Sequence, residues 1–92
     1  MSAVRREVAI VNKRGLHARA SAKFVNAVAD LDEATEVQVA KNGNLANGGS
    51  ILGLMMLGAA KGDSVEVIVS GKDAAEVLER LCALVESGFG ED

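Results

Sequence analysis

The stretch Glu36-Val37-Gln38-Val39-Ala40-Lys41 alternates polar and apolar side chains and runs directly into Asn42-Gly43. Alternation at period two marks a strand with one buried face, and Asn-Gly supplies the two positive-φ residues that a two-residue hairpin demands. The pattern predicts a strand over 36–41, a turn at 42–43 and a short returning strand over 44–46. It commits this part of the chain to an antiparallel sheet whose register the turn sets. Val37 and Val39 should face a core, with Glu36, Gln38 and Lys41 largely turned away.

The remaining elements arrange themselves around that hairpin. Residues 7–11 are rich in branched side chains and stop at the polar cluster Asn12-Lys13-Arg14-Gly15, which predicts a first strand and a loop. From Ala18 to about Leu31, the positions Ala20, Phe24, Ala27, Val28 and Leu31 recur at spacings of three and four, as in an amphipathic helix. Ser50, a favoured N-cap residue, opens a short apolar helix over 51–57. Residues 64–69 form a last strand. Asp73 is then expected to cap a helix that buries Val77, Leu78, Leu81, Cys82, Leu84 and Val85 and ends near Gly88.

The order is β-α-β-β-α-β-α. A strand-helix-strand crossover is right-handed and leaves a gap between its strands, and the last strand can enter that gap. The expected class is α+β, an open-faced β-sandwich with a four-stranded antiparallel sheet and its helices on one face. With 92 residues, 49% of them apolar, the chain can close one core but not two, so 1–92 is read as a single domain without a linker.

Charge and composition exclude several functions. A net charge of -3 gives no basic field for nucleic acid or an anionic membrane. Trp and Tyr are absent and Phe occurs twice, which removes the stacking platforms of single-strand binders. The lone Cys82 allows neither an internal disulfide nor a thiolate metal cluster, and is read as a core residue. Neither a membrane span nor an export signal is apparent, so a cytoplasmic location is expected. No metal and no cofactor are expected. A self-contained enzyme is disfavoured because there is no second histidine and no phosphate loop with lysine and serine.

Chemistry concentrates at Gly15-Leu16-His17-Ala18-Arg19. Neutral imidazole is a good nucleophile near physiological pH, its ordinary pKa being ~6.5, and a helix start offers unpaired N–H groups to an anion. Together they suit a phosphoryl group. A lone histidine at a helix start is also a common capping or solvated residue, and Arg19 alone is an ordinary surface charge. The helix over 51–57 is too apolar to be hidden on every side. Leu54 and Leu57 suit the core, whereas Ile51, Leu52 and Met55 should look outward as a binding patch, flanked by Lys23 and Arg14.

These two segments, Gly15 to Arg19 and Ser50-Ile51-Leu52-Gly53-Leu54-Met55-Met56-Leu57-Gly58, on this element order, resemble the HPr family, the histidine-containing phosphocarriers of the bacterial phosphotransferase system. Asn12-Lys13 and the tail over 84–92 give a closer likeness to the nitrogen-branch paralogue NPr. The resemblance implies that His17 accepts a phosphoryl group on Nδ1 from phosphorylated enzyme I and passes it to an enzyme IIA-type acceptor. Arg19 and the backbone N–H groups of Ala18 and Arg19 would hold the phosphate. Ser50 matches the family's regulatory serine, the target of an ATP-using HPr kinase/phosphorylase, although Gly49 replaces the lysine found before it. Ala20 stands where the family carries proline, which puts in question how firmly the His17 loop is held. A monomer is expected. The competing readings are a binding module controlled at Ser50 and a small-molecule-binding ferredoxin-like sandwich.

Overall fold

The computed structural model describes residues 3–91; Met1, Ser2 and Asp92, the last residue of the acidic tail, lie outside them. The elements are β1 (Val4–Ala9), α1 (Ala18–Ala29), β2 (Thr35–Lys41), β3 (Asn44–Asn47), α2 (Ile51–Met56), β4 (Ser64–Gly71) and α3 (Ala74–Glu86), followed by a 3-10 turn at Gly88–Gly90. All strands join one antiparallel sheet in the order β1-β4-β2-β3. The last strand does enter the gap left by the crossover.

Sheet register explains the two faces. Val69 lies opposite Val4 and Val37, and Val67 opposite Arg6 and Val39. The inner row of Val8, Val37, Val39, Val65, Val67 and Val69 merges with Phe24 of α1, Leu54 of α2 and Leu78, Leu81, Cys82 and Val85 of α3 into one apolar cluster. Each such side chain, fully buried, contributes about 1.5–3 kcal/mol of transfer free energy. The outer row carries Arg5, Glu7, Glu36 and Gln38, all exposed. Ile68 is the exception: it is buried on the outer face between Arg5 and Gln38.

The hairpin turn adopts the expected geometry, with φ of 51° at Asn42 and 83° at Gly43. Several expectations need correction. The first strand runs over Val4–Ala9, not 7–11. Its inner row is Val4, Arg6 and Val8, and an exposed arginine in that row breaks the apolar signal. Asp73 does precede α3, but in a left-handed conformation (φ 54°, ψ 32°) without a side-chain cap bond. There its short side chain tolerates a backbone turn, leaving the helix start to its own backbone. The helix ends also fall two residues short of expectation, at Ala29 and Glu86.

Candidate functional site

The loop between β1 and α1 is fastened along its length. The Ile10 N–H donates to the Asp63 carbonyl at 2.8 Å, and the Leu16 N–H to the Ala59 carbonyl at 2.9 Å. Gly15 sits at φ +62° against that same Ala59–Ala60 backbone, and any Cβ would collide with the Ala59 carbonyl oxygen. Glycine is therefore required both by conformation and by space. The buried Ser21 hydroxyl donates back to the Leu16 carbonyl at 3.2 Å. These bonds fix the loop without a proline at Ala20, itself fully buried.

This loop delivers His17 to the N-cap of α1, in extended backbone conformation. Its Nδ1 accepts from the Arg19 N–H at 3.4 Å, while Nε2 lies 2.8 Å from Glu91 Oε2. A carboxylate only accepts, so the second contact places the proton on Nε2. The first needs a lone pair on Nδ1. Both agree on one tautomer, with the basic nitrogen facing the positive end of a helix. The ring is partly covered, with 17% of the side chain exposed, yet it is not walled into the core.

Glu91 is held from a second side. The buried Asn12 amide donates to the Gly15 carbonyl at 2.8 Å and to Glu91 Oε1 at 3.1 Å. Among the described residues its Oδ1 has no partner, a cost of ~1–3 kcal/mol that the two donated bonds offset. Desolvation, the largest single influence on the Glu91 carboxyl, pushes its pKa up. The bonds from His17 and Asn12, with the charges of His17 and Lys23, outweigh it and hold the group below the ordinary 4.5. Neither Asn12 nor Glu91 was singled out by sequence reasoning as a site residue. The usable signal was Gly88-Phe89-Gly90, one of two phenylalanines set between glycines just beyond an amphipathic helix.

The site's surroundings are basic despite the acidic chain. A surface depression of about 320 Å³ is lined by Lys13, Arg14, Arg19, Lys23, Gly90 and Glu91. The exposed Arg19 stands in it, and the Lys23 ammonium donates to the Phe89 carbonyl at 2.7 Å. Ala18, also exposed, begins the helix there. Ser50 lies elsewhere, at the start of α2, where its Oγ accepts from the Gly53 N–H at 2.9 Å. Ile51, Leu52 and Met55 are exposed beyond it, as expected, and Met56, which sequence reasoning left out, is more exposed still at 77%. Leu54 is buried and Leu57 partly so. The Cys82 thiol is in the core, where burial pushes its pKa up and keeps it inert.

Comparison with known proteins settles the family. Residues 4–87 match the family model described as the PTS HPr component phosphorylation site. The chain belongs to the HPr family. It is 46% identical over 88 residues to phosphocarrier protein HPr of Neisseria meningitidis, covering 96% of this chain and 97% of that one. It is 36% identical over 91 residues to phosphocarrier protein NPr of Shewanella violacea, covering 99% and 98%. A crystal structure of HPr from Thermoanaerobacter tengcongensis superposes with a TM-score of 0.88 at 36% identity, covering 97% of this chain and 98% of that one. HPr proteins are phosphocarriers of the phosphotransferase system, not catalytic enzymes. Among the described residues, no helix is long and apolar enough to cross a membrane, and no group of three or more His, Cys, Asp or Glu could hold a metal ion.

Proposed function

We propose that His17 is the phosphoryl acceptor, taking the group on Nδ1 from phosphorylated enzyme I and handing it to an enzyme IIA-type acceptor. The observation that carries this reading is the unequal engagement of the two ring nitrogens. Nε2 is occupied at 2.8 Å, whereas Nδ1 has, among the described residues, a single long contact at 3.4 Å and faces the start of α1. A phosphoryl group on Nδ1 takes up that nitrogen's lone pair, releases the Arg19 N–H, and meets it together with the Ala18 N–H, the positive end of the helix and the Arg19 guanidinium. Little bond chemistry is left for the carrier, whose task is positioning and charge neutralisation.

The exposed patch of Ile51, Leu52 and Met55, with Lys23 beside the His17 loop, is the surface offered to partners. Its apolar centre supplies contact area and the basic depression draws acidic surfaces to it. The nitrogen-related branch rests on Asn12-Lys13 and the tail over 84–92; the Neisseria relative at 46% identity carries the general HPr name. The two branches separate by which enzyme IIA-type protein is phosphorylated faster.

A second role is supported at Ser50, whose Oγ caps α2 at the edge of the apolar patch. A phosphate there would bring roughly two negative charges onto the docking surface and weaken partner binding. One experiment addresses both roles. The protein is mixed with phosphoenolpyruvate and enzyme I, or with ATP and an HPr kinase/phosphorylase, and the adduct is mapped. Acid-labile phosphate on His17, lost in His17→Ala, is expected with the first mixture and acid-stable phosphoserine at Ser50 with the second. Failure of the wild-type chain to form the first adduct would overturn the carrier.

A further inference from the structure

We infer that Glu91 is a positioning residue for His17: it anchors the proton on Nε2 and so keeps Nδ1 as the nucleophile and, later, as the leaving nitrogen. The inference rests on the reading of His17 as phosphoryl acceptor. It concerns a segment beyond the family match, which ends at residue 87.

The tail that carries Glu91 is built, not draped. Phe89 is 1% exposed and belongs to the core cluster, yet its backbone is left-handed, at φ 58° and ψ 27°. A bulky residue there costs ~1–3 kcal/mol and persists only where its surroundings enforce it. Gly88 and Gly90 flank it at φ 69° and 72°. The Glu91 N–H donates to the Gly88 carbonyl at 2.9 Å, and Lys23 clamps the Phe89 carbonyl. The strained turn drives one side chain into the core and sets the next carboxylate over the imidazole. Asn12 then fixes that carboxylate through Oε1, leaving Oε2 for the ring.

The chemistry that follows balances without moving a proton. In the forward step the Nδ1 lone pair forms an N–P bond while the N–P bond of the incoming phosphohistidine donor breaks, its electron pair staying on the donor's nitrogen. The His17 ring, still protonated on Nε2, now carries positive charge against the Glu91 carboxylate. In onward transfer the Nδ1–P bond breaks and its pair returns to Nδ1, so a neutral imidazole leaves. Were the Nε2 proton lost, the leaving group would be an imidazolide anion, a far poorer one. An acceptor that holds this proton in place serves both directions equally, as the aspartate of a hydrolytic triad holds its histidine in one tautomer.

The test uses full-length protein with 15N-labelled histidine as wild type, Glu91→Ala and Glu91→Gln, and phosphoramidate as a small-molecule phosphoryl donor. Ring 15N shifts of the neutral wild type are expected to report proton on Nε2 and lone pair on Nδ1, with the adduct on Nδ1 alone. Glu91→Ala should show a mixed tautomer, adduct on both nitrogens and a loss of roughly three- to tenfold in the rate of Nδ1 phosphorylation. Glu91→Gln, which still accepts a hydrogen bond but lacks charge, should keep the tautomer and recover part of the rate. Unchanged tautomer and rate in both variants would overturn the role of Glu91 while leaving the carrier intact. No adduct on wild-type His17 would remove both.

Discussion

The starts of α1 and α2 are capped by the same device and put to different ends. At α2, Ser50 Oγ takes the Gly53 N–H at 2.9 Å, a well-formed cap on a helix of 6 residues that needs help to form. At α1, His17 Nδ1 takes the Arg19 N–H at 3.4 Å, near the limit of a hydrogen bond. The difference follows from a second demand on the imidazole, whose other nitrogen is tied to Glu91. A hydroxyl with one duty can close on its donor. A ring fastened at its far nitrogen is held back from a tight cap, and that leaves a lone pair available for chemistry. Under the proposed function, the long cap lies at the helix start that takes phosphate on a ring nitrogen, and the short one at the start whose hydroxyl is engaged in holding the helix.

The contrast can be broken hardest at the loop that aims the histidine. Gly15→Ala should cost about 2–4 kcal/mol, since alanine meets both a left-handed backbone and the Ala59 carbonyl; denaturant unfolding measures it, and His17 phosphorylation should slow in parallel. Next, the two caps should separate in kind. Ser50→Ala is expected to lose about 1 kcal/mol of stability while phosphorylation at His17 persists. His17→Ala, compared in a Glu91→Ala background so that only the long cap bond differs, should change stability by less than about 0.5 kcal/mol, and it abolishes phosphorylation in either background. Equal stability losses in the two variants would erase the distinction drawn between the caps.

The smallest effect is local and depends on pH. Glu91 has a folded pKa below its ordinary 4.5, so its contribution to fastening the tail is complete above 4.5 and is lost as pH falls through the lower folded value. The groups facing it are His17, Asn12 and Lys23. NMR titration should show the Gly90 and Glu91 amides shifting together with the Glu91 carboxyl carbon in that acid window, with the β2–β3 hairpin amides unmoved. A Glu91 midpoint at or above 4.5 would contradict the clasp.

What could be read in the sequence divides along the range of the interactions. The hairpin was legible because Asn42-Gly43 states its own φ angles, and the insertion of β4 followed from the handedness of one crossover. The placement of His17 and Ser50 at helix starts was legible because capping residues carry a local signal. β1 was misplaced because Arg6 occupies an inner-row position while staying exposed. Asp73 has the side chain of a cap but a backbone that does not use it. The clasp was invisible for another reason: Asn12 and Glu91 are 79 residues apart, and no periodicity in the chain connects them.

Placing β4 between β1 and β2 has a consequence for how the molecule comes into being. Both neighbours of β4 precede it in the chain, and neither pairs with the other. Until Gly71 has left the ribosome, the nascent polypeptide owns one hairpin and an unpaired edge, with its valine row open to solvent. Assembly must then proceed by threading a late strand between two waiting ones, a non-local pairing whose loop-closure entropy is met before its contacts form. Fragments ending before β4 should be found as chaperone clients, not as small sheets.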